Sequence, residues 1–150
     1  MLESDYPTRF SELIQSVSWD IELPIEWAGY FHERGEVPCY SEDERNNQRL
    51  KVRTHGLVYF EQSLPFRPRS GGPVGVYTRD FSRQGCGLLS PLELFPGEQI
   101  RMALPTFWVQ VEVVRARRIT SKCYEIGTVL IKRHDPSIDA LQPNMFADAV

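Results

Sequence analysis

No stretch of the sequence approaches the roughly 18 consecutive apolar residues that a membrane-spanning helix requires, and the opening Met1-Leu2-Glu3-Ser4-Asp5 carries acids where a secretory leader carries Lys or Arg. The expectation is a cytoplasmic chain with no membrane span. Cysteine is scarce. Cys39, Cys86 and Cys123 are odd in number, far apart and free of any CxxC or Cys/His spacing, which argues against a disulfide framework or a zinc site and leaves buried, inert thiols. His32, His55 and His134 fall in unrelated contexts, and neither GxSxG nor HExxH occurs. Nothing in the sequence lays out a nucleophile or an acid–base pair, so the reading is not an enzyme, with no cofactor and no metal. Lysine is the rarest cation: of 17 positive side chains, fourteen are Arg and only Lys51, Lys122 and Lys132 are Lys.

What is present fits one folded unit. A chain of 150 residues with 41% hydrophobic and 11% aromatic content buries enough apolar surface to fold alone. The net charge of -3 conceals a sharp asymmetry. Residues 1–44 hold eleven acids against Arg9 and Arg34, whereas residues 45–83 hold eight cations against Glu61 and Asp80. Arg carries a planar fork that pairs bidentately with phosphate and with the acceptor edge of guanine, so an Arg-biased middle points to an anionic ligand. The acidic N-terminus, and the lack of a basic patch interleaved with aromatics, argue against nucleic acid as the partner.

Phe10, Leu13, Ile14 and Val17 fall at helical spacing within Thr8 to Trp19, behind the start signals Asp5 and Pro7. From Trp19 to Tyr40 the pattern is irregular, broken by Pro24 and Pro38, and reads as a short helix or strap that packs Trp27, Tyr30 and Phe31 on a surface. Beyond residue 50 the period shortens to two, as in Ile100, Met102, Leu104 and in Val109, Val111, Val113. Strands are expected near 50–60, 74–80, 86–90, 98–104, 107–118 and 123–131, with turns at Gly71-Gly72-Pro73, Pro96-Gly97, Pro105-Thr106 and Thr120-Ser121-Lys122. Six short strands with tight turns imply a mainly β fold, a small antiparallel barrel whose closure removes its edges. The expected division is an N-terminal helical appendage over 1–41, a barrel over 42–134 and a tail over 135–150 that forms a short terminal helix.

Two local patterns stand out. RxxxR occurs at Arg45/Arg49, Arg49/Arg53 and Arg79/Arg83, a spacing that fourteen arginines produce about once by chance. Asp80-Phe81-Ser82-Arg83-Gln84-Gly85, a [DN]xSxxG match, arises far less readily from composition. In this order the two resemble the PilZ family, which carries RxxxR just before its first strand and [DN]xSxxG just after its second. The resemblance extends through Arg49-Leu50-Lys51-Val52, Gly87-Leu88-Leu89, Pro96-Gly97-Glu98 and Tyr124-Glu125-Ile126-Gly127, and covers about residues 42–133. It implies a six-stranded barrel that binds cyclic di-GMP, with the Arg-rich segment as a clamp. Strand context favours Arg45/Arg49 over Arg49/Arg53 for that clamp.

On the same resemblance Arg45 and Arg49 meet phosphate or guanine, Asp80 accepts from guanine N1–H and N2–H, Ser82 donates to the ligand or caps the turn, and Gly85 permits a tight or positive-φ backbone beside it. Arg53, Arg79, Arg83 and Arg115 are secondary candidates. The plainer reading of Asp80 to Gly85 is a turn in which Asp and Ser bond local backbone, and the two uses coexist. A PilZ-like module that docks proteins without nucleotide is the chief alternative. Segment 61–73, with Pro65, Arg67, Pro68 and Arg69, is longer than the family needs and suggests a mobile loop with a partner of its own. The acidic, aromatic appendage lies outside the family pattern, and its adjacency to Arg45 suggests that it contacts the barrel or a partner and that ligand binding alters its position.

Overall fold

The fold is seen in a computed structural model that describes residues 5–35, 49–64, 69 and 72–143. Helix α1 spans Asp5–Ser16, starting earlier than expected because Pro7 falls in the first turn, where its missing N–H has no intrahelical duty. It ends earlier too: the Trp19 indole N–H folds back and donates to the Ile14 carbonyl at 2.9 Å, capping the helix instead of extending it. The strap to residue 35 contains two short 3-10 turns, Ile25–Trp27 and Tyr30–His32.

Seven strands follow: β1 (Leu50–Lys51), β2 (His55–Gln62), β3 (Val74–Phe81), β4 (Cys86–Ser90), β5 (Gln99–Ala103), β6 (Trp108–Thr120) and β7 (Cys123–His134). All pairings are antiparallel, and β3–β4 closes the order β3-β2-β5-β6-β7-β4 into a six-stranded barrel, with β1 as an added piece on β3. Of the tail, the described residues form one 3-10 turn, Ile138–Leu141.

The expected strand 50–60 is two strands. Around its break the Thr78 side chain supplements the backbone bonds Val52 N–H to Arg79 carbonyl and Thr78 N–H to Thr54 carbonyl: Thr54 N–H donates to Thr78 Oγ1 at 2.8 Å, and the Thr78 hydroxyl donates to the Val52 carbonyl. Thr78 is fully buried, so its own hydroxyl finds its partners in these two backbone groups.

Alternation along the strands divides the apolar residues. Val58, Phe60, Val76, Leu88, Ile100, Met102, Val111 and Ile126 fill the barrel. Leu57, Tyr59 and Ala103 face outward and are covered by Tyr6 and Phe10 of α1 and by Leu141. Tyr77, Leu89 and Cys123 face outward on another side and are covered by Ile21 and Tyr30 of the strap. The appendage therefore packs on the barrel, as its aromatic content suggested, and β2 is buried on both faces.

Arg69, in the long loop between β2 and β3, has its partner within the chain. Its guanidinium makes a bidentate contact with fully buried Glu98, at 2.7 and 3.0 Å, donates to the Glu93 carbonyl at 2.7 Å and lies 4.8 Å over the Phe60 ring. Removing one partner of such a pair leaves an uncompensated buried charge. Arg69→Ala is expected to cost about 3–5 kcal/mol in urea unfolding; a loss below about 1 kcal/mol, the range of an exposed pair, would contradict the burial described.

Candidate functional site

β3 begins with Val74 and Val76 facing the interior, and Thr78 opposite Leu88 keeps that phase. Uninterrupted, the alternation would turn Asp80 inward. The β3–β4 register shifts between Thr78 and Asp80, leaving Arg79 as an inserted residue; Asp80 then pairs with Gly87 on the outer face and Phe81 with Cys86 on the inner. β6 repeats the device. Val109, Val111 and Val113 point inward, the register shifts at Val114, and Arg115 comes out opposite Gly127.

Gly87 and Gly127 are themselves paired, so Lys51, Asp80, Gly87, Gly127 and Arg115 form one outward row across β1, β3, β4, β7 and β6. With strands about 4.8 Å apart, Asp80 and Arg115 stand roughly 14 Å from each other along it. Between them the sheet has no side chains. A Cβ on Gly87 would meet the Asp80 carboxylate at 3.2 Å, and one on Gly127 would meet the Arg115 side chain at 2.5 Å, so both flanking side chains lean over a glycine floor.

Arg49 sits immediately before β1 and donates to Asp80 Oδ1 at 2.7 Å, with Asp80 nearly buried and Arg49 a third exposed. Beside the row, Glu125 is shared by Arg79 at 2.9 Å and Arg117 at 3.4 Å. Arg83 and Arg115 are exposed and have no ion-pair partner among the described residues. Arg45 lies outside the described residues. Arg53 stands apart from the row: its side chain is buried under the strap, with its guanidinium 4.3 Å over the Tyr30 ring and 3.2 Å from Glu33.

The Ser82–Gly85 turn is bound locally and to β7. Ser82 N–H donates to the Gly85 carbonyl at 2.9 Å, Gln84 N–H donates to Ser82 Oγ at 3.2 Å, and Leu130 N–H donates to the Gln84 carbonyl at 2.6 Å. Gly85 does not have the positive φ considered from sequence. Its requirement is space, because a Cβ there would fall 2.0 Å from the Thr128 carbonyl oxygen.

Residues 43–142 match the family model for the PilZ domain. The chain belongs to the PilZ family. No curated protein and no solved structure matches it. In this PilZ chain the matched region runs from residue 43 through the terminal 3-10 turn, and α1 and the described strap lie outside it.

Lys51, Gly87 and Gly127 were not singled out as site residues from sequence, although glycine inside a strand signals close approach and was available as a clue. Among the described residues, His55 and two of the three thiols are engaged in packing, and Cys39 lies outside them. His55 stacks on Phe31 at 5.1 Å and meets the Trp19 ring edge-on at 4.7 Å, and burial lowers its pKa. Burial pushes the Cys86 and Cys123 thiols up to about 11, which keeps both protonated and unreactive at neutral pH.

The two kinds of glycine separate in stability. Gly85→Ala, which drives a Cβ into backbone, is expected to cost about 2 kcal/mol or more, whereas Gly87→Ala, which meets only the end of a side chain, is expected to cost under about 1 kcal/mol. Chemical unfolding of both variants checks this; equal losses would contradict the geometry.

Proposed function

We propose that this PilZ barrel is a receptor for cyclic di-GMP, bound on the outer face of β3, β4, β7 and β6 and not chemically transformed. The observation that carries this reading is the row itself: a carboxylate oriented by Arg49, a two-glycine floor and, at the far end, Arg115 with no ion-pair partner among the described residues.

Cyclic di-GMP presents two anionic phosphodiesters and two flat guanines. Asp80 accepts from guanine N1–H and N2–H while its second oxygen stays with Arg49. Gly87 and Gly127 let a purine ring lie against the sheet where any Cβ would lift it off. Arg49, and Arg45 ahead of it, supply forked donors to phosphate or to guanine O6 and N7, and Ser82 Oγ completes the near end. Arg79 and Arg115 serve the far end, and Arg83 at the turn tip is placed for a second ligand molecule. Arg53 contributes least, because Tyr30 and Glu33 already hold it.

One observation favours the alternative, a barrel that docks another protein without nucleotide. Arg49, Arg53 and Arg79 are each neutralised within the chain by Asp80, Glu33 and Glu125.

Isothermal titration with cyclic di-GMP separates the two. Arg45→Ala and Arg49→Ala are each expected to lose about 1.5–3 kcal/mol, one to two decades in affinity, and Asp80→Ala a similar amount. Folded wild-type protein that ignores the nucleotide at about 50 µM would overturn the receptor reading in favour of the docking barrel.

A further inference from the structure

The Ser82–Gly85 turn, the start of β6 and the end of β7 enclose a second concavity of about 190 Å3 at one end of the barrel. Its floor includes Val109 and Val111, which belong to the barrel core, and its walls are the half-buried Phe81, Phe107 and Leu130. Arg83 and Arg133, both exposed, form the rim. No acid lines the concavity, and neither rim guanidinium has an ion-pair partner among the described residues. Arg133 is held in place by its own packing, with its guanidinium 4.1 Å over the Phe107 ring.

Apolar walls above an apolar floor gain by being covered, and two uncompensated cations at the mouth select the sign of what covers them. Size narrows the choice. Sites for larger organic ligands run to about 300–1,000 Å3, so a nucleotide does not fit. At the roughly 30 Å3 that one water occupies in the liquid, a cavity of 190 Å3 holds about six methylene-sized groups.

We propose that this barrel mouth binds a short anionic amphiphile, an alkyl carboxylate whose chain enters between Phe81, Phe107 and Leu130 and whose carboxylate meets Arg83 and Arg133. The site is distinct from the glycine row. Phe81 and Cys86 face the interior at this end, whereas their neighbours Asp80 and Gly87 face outward. Ser82 and Arg83 line this concavity and are also offered to the nucleotide, so the two sites adjoin and their occupancies are not independent.

The test is a titration of the full chain, without nucleotide, followed through the methyl resonances of Val109, Val111 and Leu130. Octanoate is expected to shift them saturably, and affinity is expected to rise about fourfold per methylene from butanoate to octanoate. Octylammonium, with the same chain and the opposite charge, is expected to bind about tenfold more weakly or worse. The double variant Arg83→Ala, Arg133→Ala changes only exposed side chains, so it should fold and lose about tenfold in octanoate affinity while binding 1-octanol as the wild type does. The proposal is overturned if the shifts do not saturate or scatter over the surface, if octylammonium binds as well as octanoate, or if the double variant keeps full octanoate affinity.

Discussion

Two inserted residues, Arg79 in β3 and Val114 in β6, decide which way Asp80 and Arg115 point. In a strand a one-residue slip exchanges inside for outside. Here the slip is used twice, on strands separated by β4 and β7, and it brings Asp80 and Arg115 out on the same row. Without it, both charges would be driven into a core of Val58, Phe60, Ile100 and Val111, where an unpaired ion costs several kcal/mol. The arrangement that keeps charge out of the core also places it over the glycine floor.

The appendage is tied to that face through few atoms. Tyr30 packs under Arg53 and donates its hydroxyl proton to the Thr78 carbonyl, while the Thr78 hydroxyl bridges the break between β1 and β2. Lys51 N–H donates to the Gly35 carbonyl at 2.7 Å, and Glu33 reaches both Lys51 and Arg53. The strap, the strand break and the first member of the row therefore share β1. Of the three arginines that the clamp spacing offered, Arg49 pairs with Asp80 and Arg53 pairs with Glu33 of the strap. Arg45 lies outside the described residues.

Fold class was legible because period-two patterns such as Val109, Val111, Val113 are unambiguous over short strands and the turn residues mark their ends. The Asp80 to Gly85 motif was legible as a turn beside a strand. Three things were hidden. Thr78 reads as an ordinary strand residue, and nothing local shows that its hydroxyl bridges Val52 and Thr54 across the break. The bulges depend on pairing with distant strands, so counting alternation along β3 alone gives Asp80 the wrong face. Arg69 looked like part of a free loop because its partner, Glu98, is 29 residues away and carries no local signature.

The central claim is that the outward row from Asp80 to Arg115 is where a guanine dinucleotide lies. Amide chemical-shift mapping with cyclic di-GMP tests it most directly, since Gly87 and Gly127 give isolated glycine resonances in the middle of the floor. The account predicts that Asp80, Gly87, Gly127 and Arg115 shift together and saturate with one midpoint, while α1 and the β2–β5 face stay still. Saturable shifts confined to other surfaces, with both floor glycines unmoved, would contradict it.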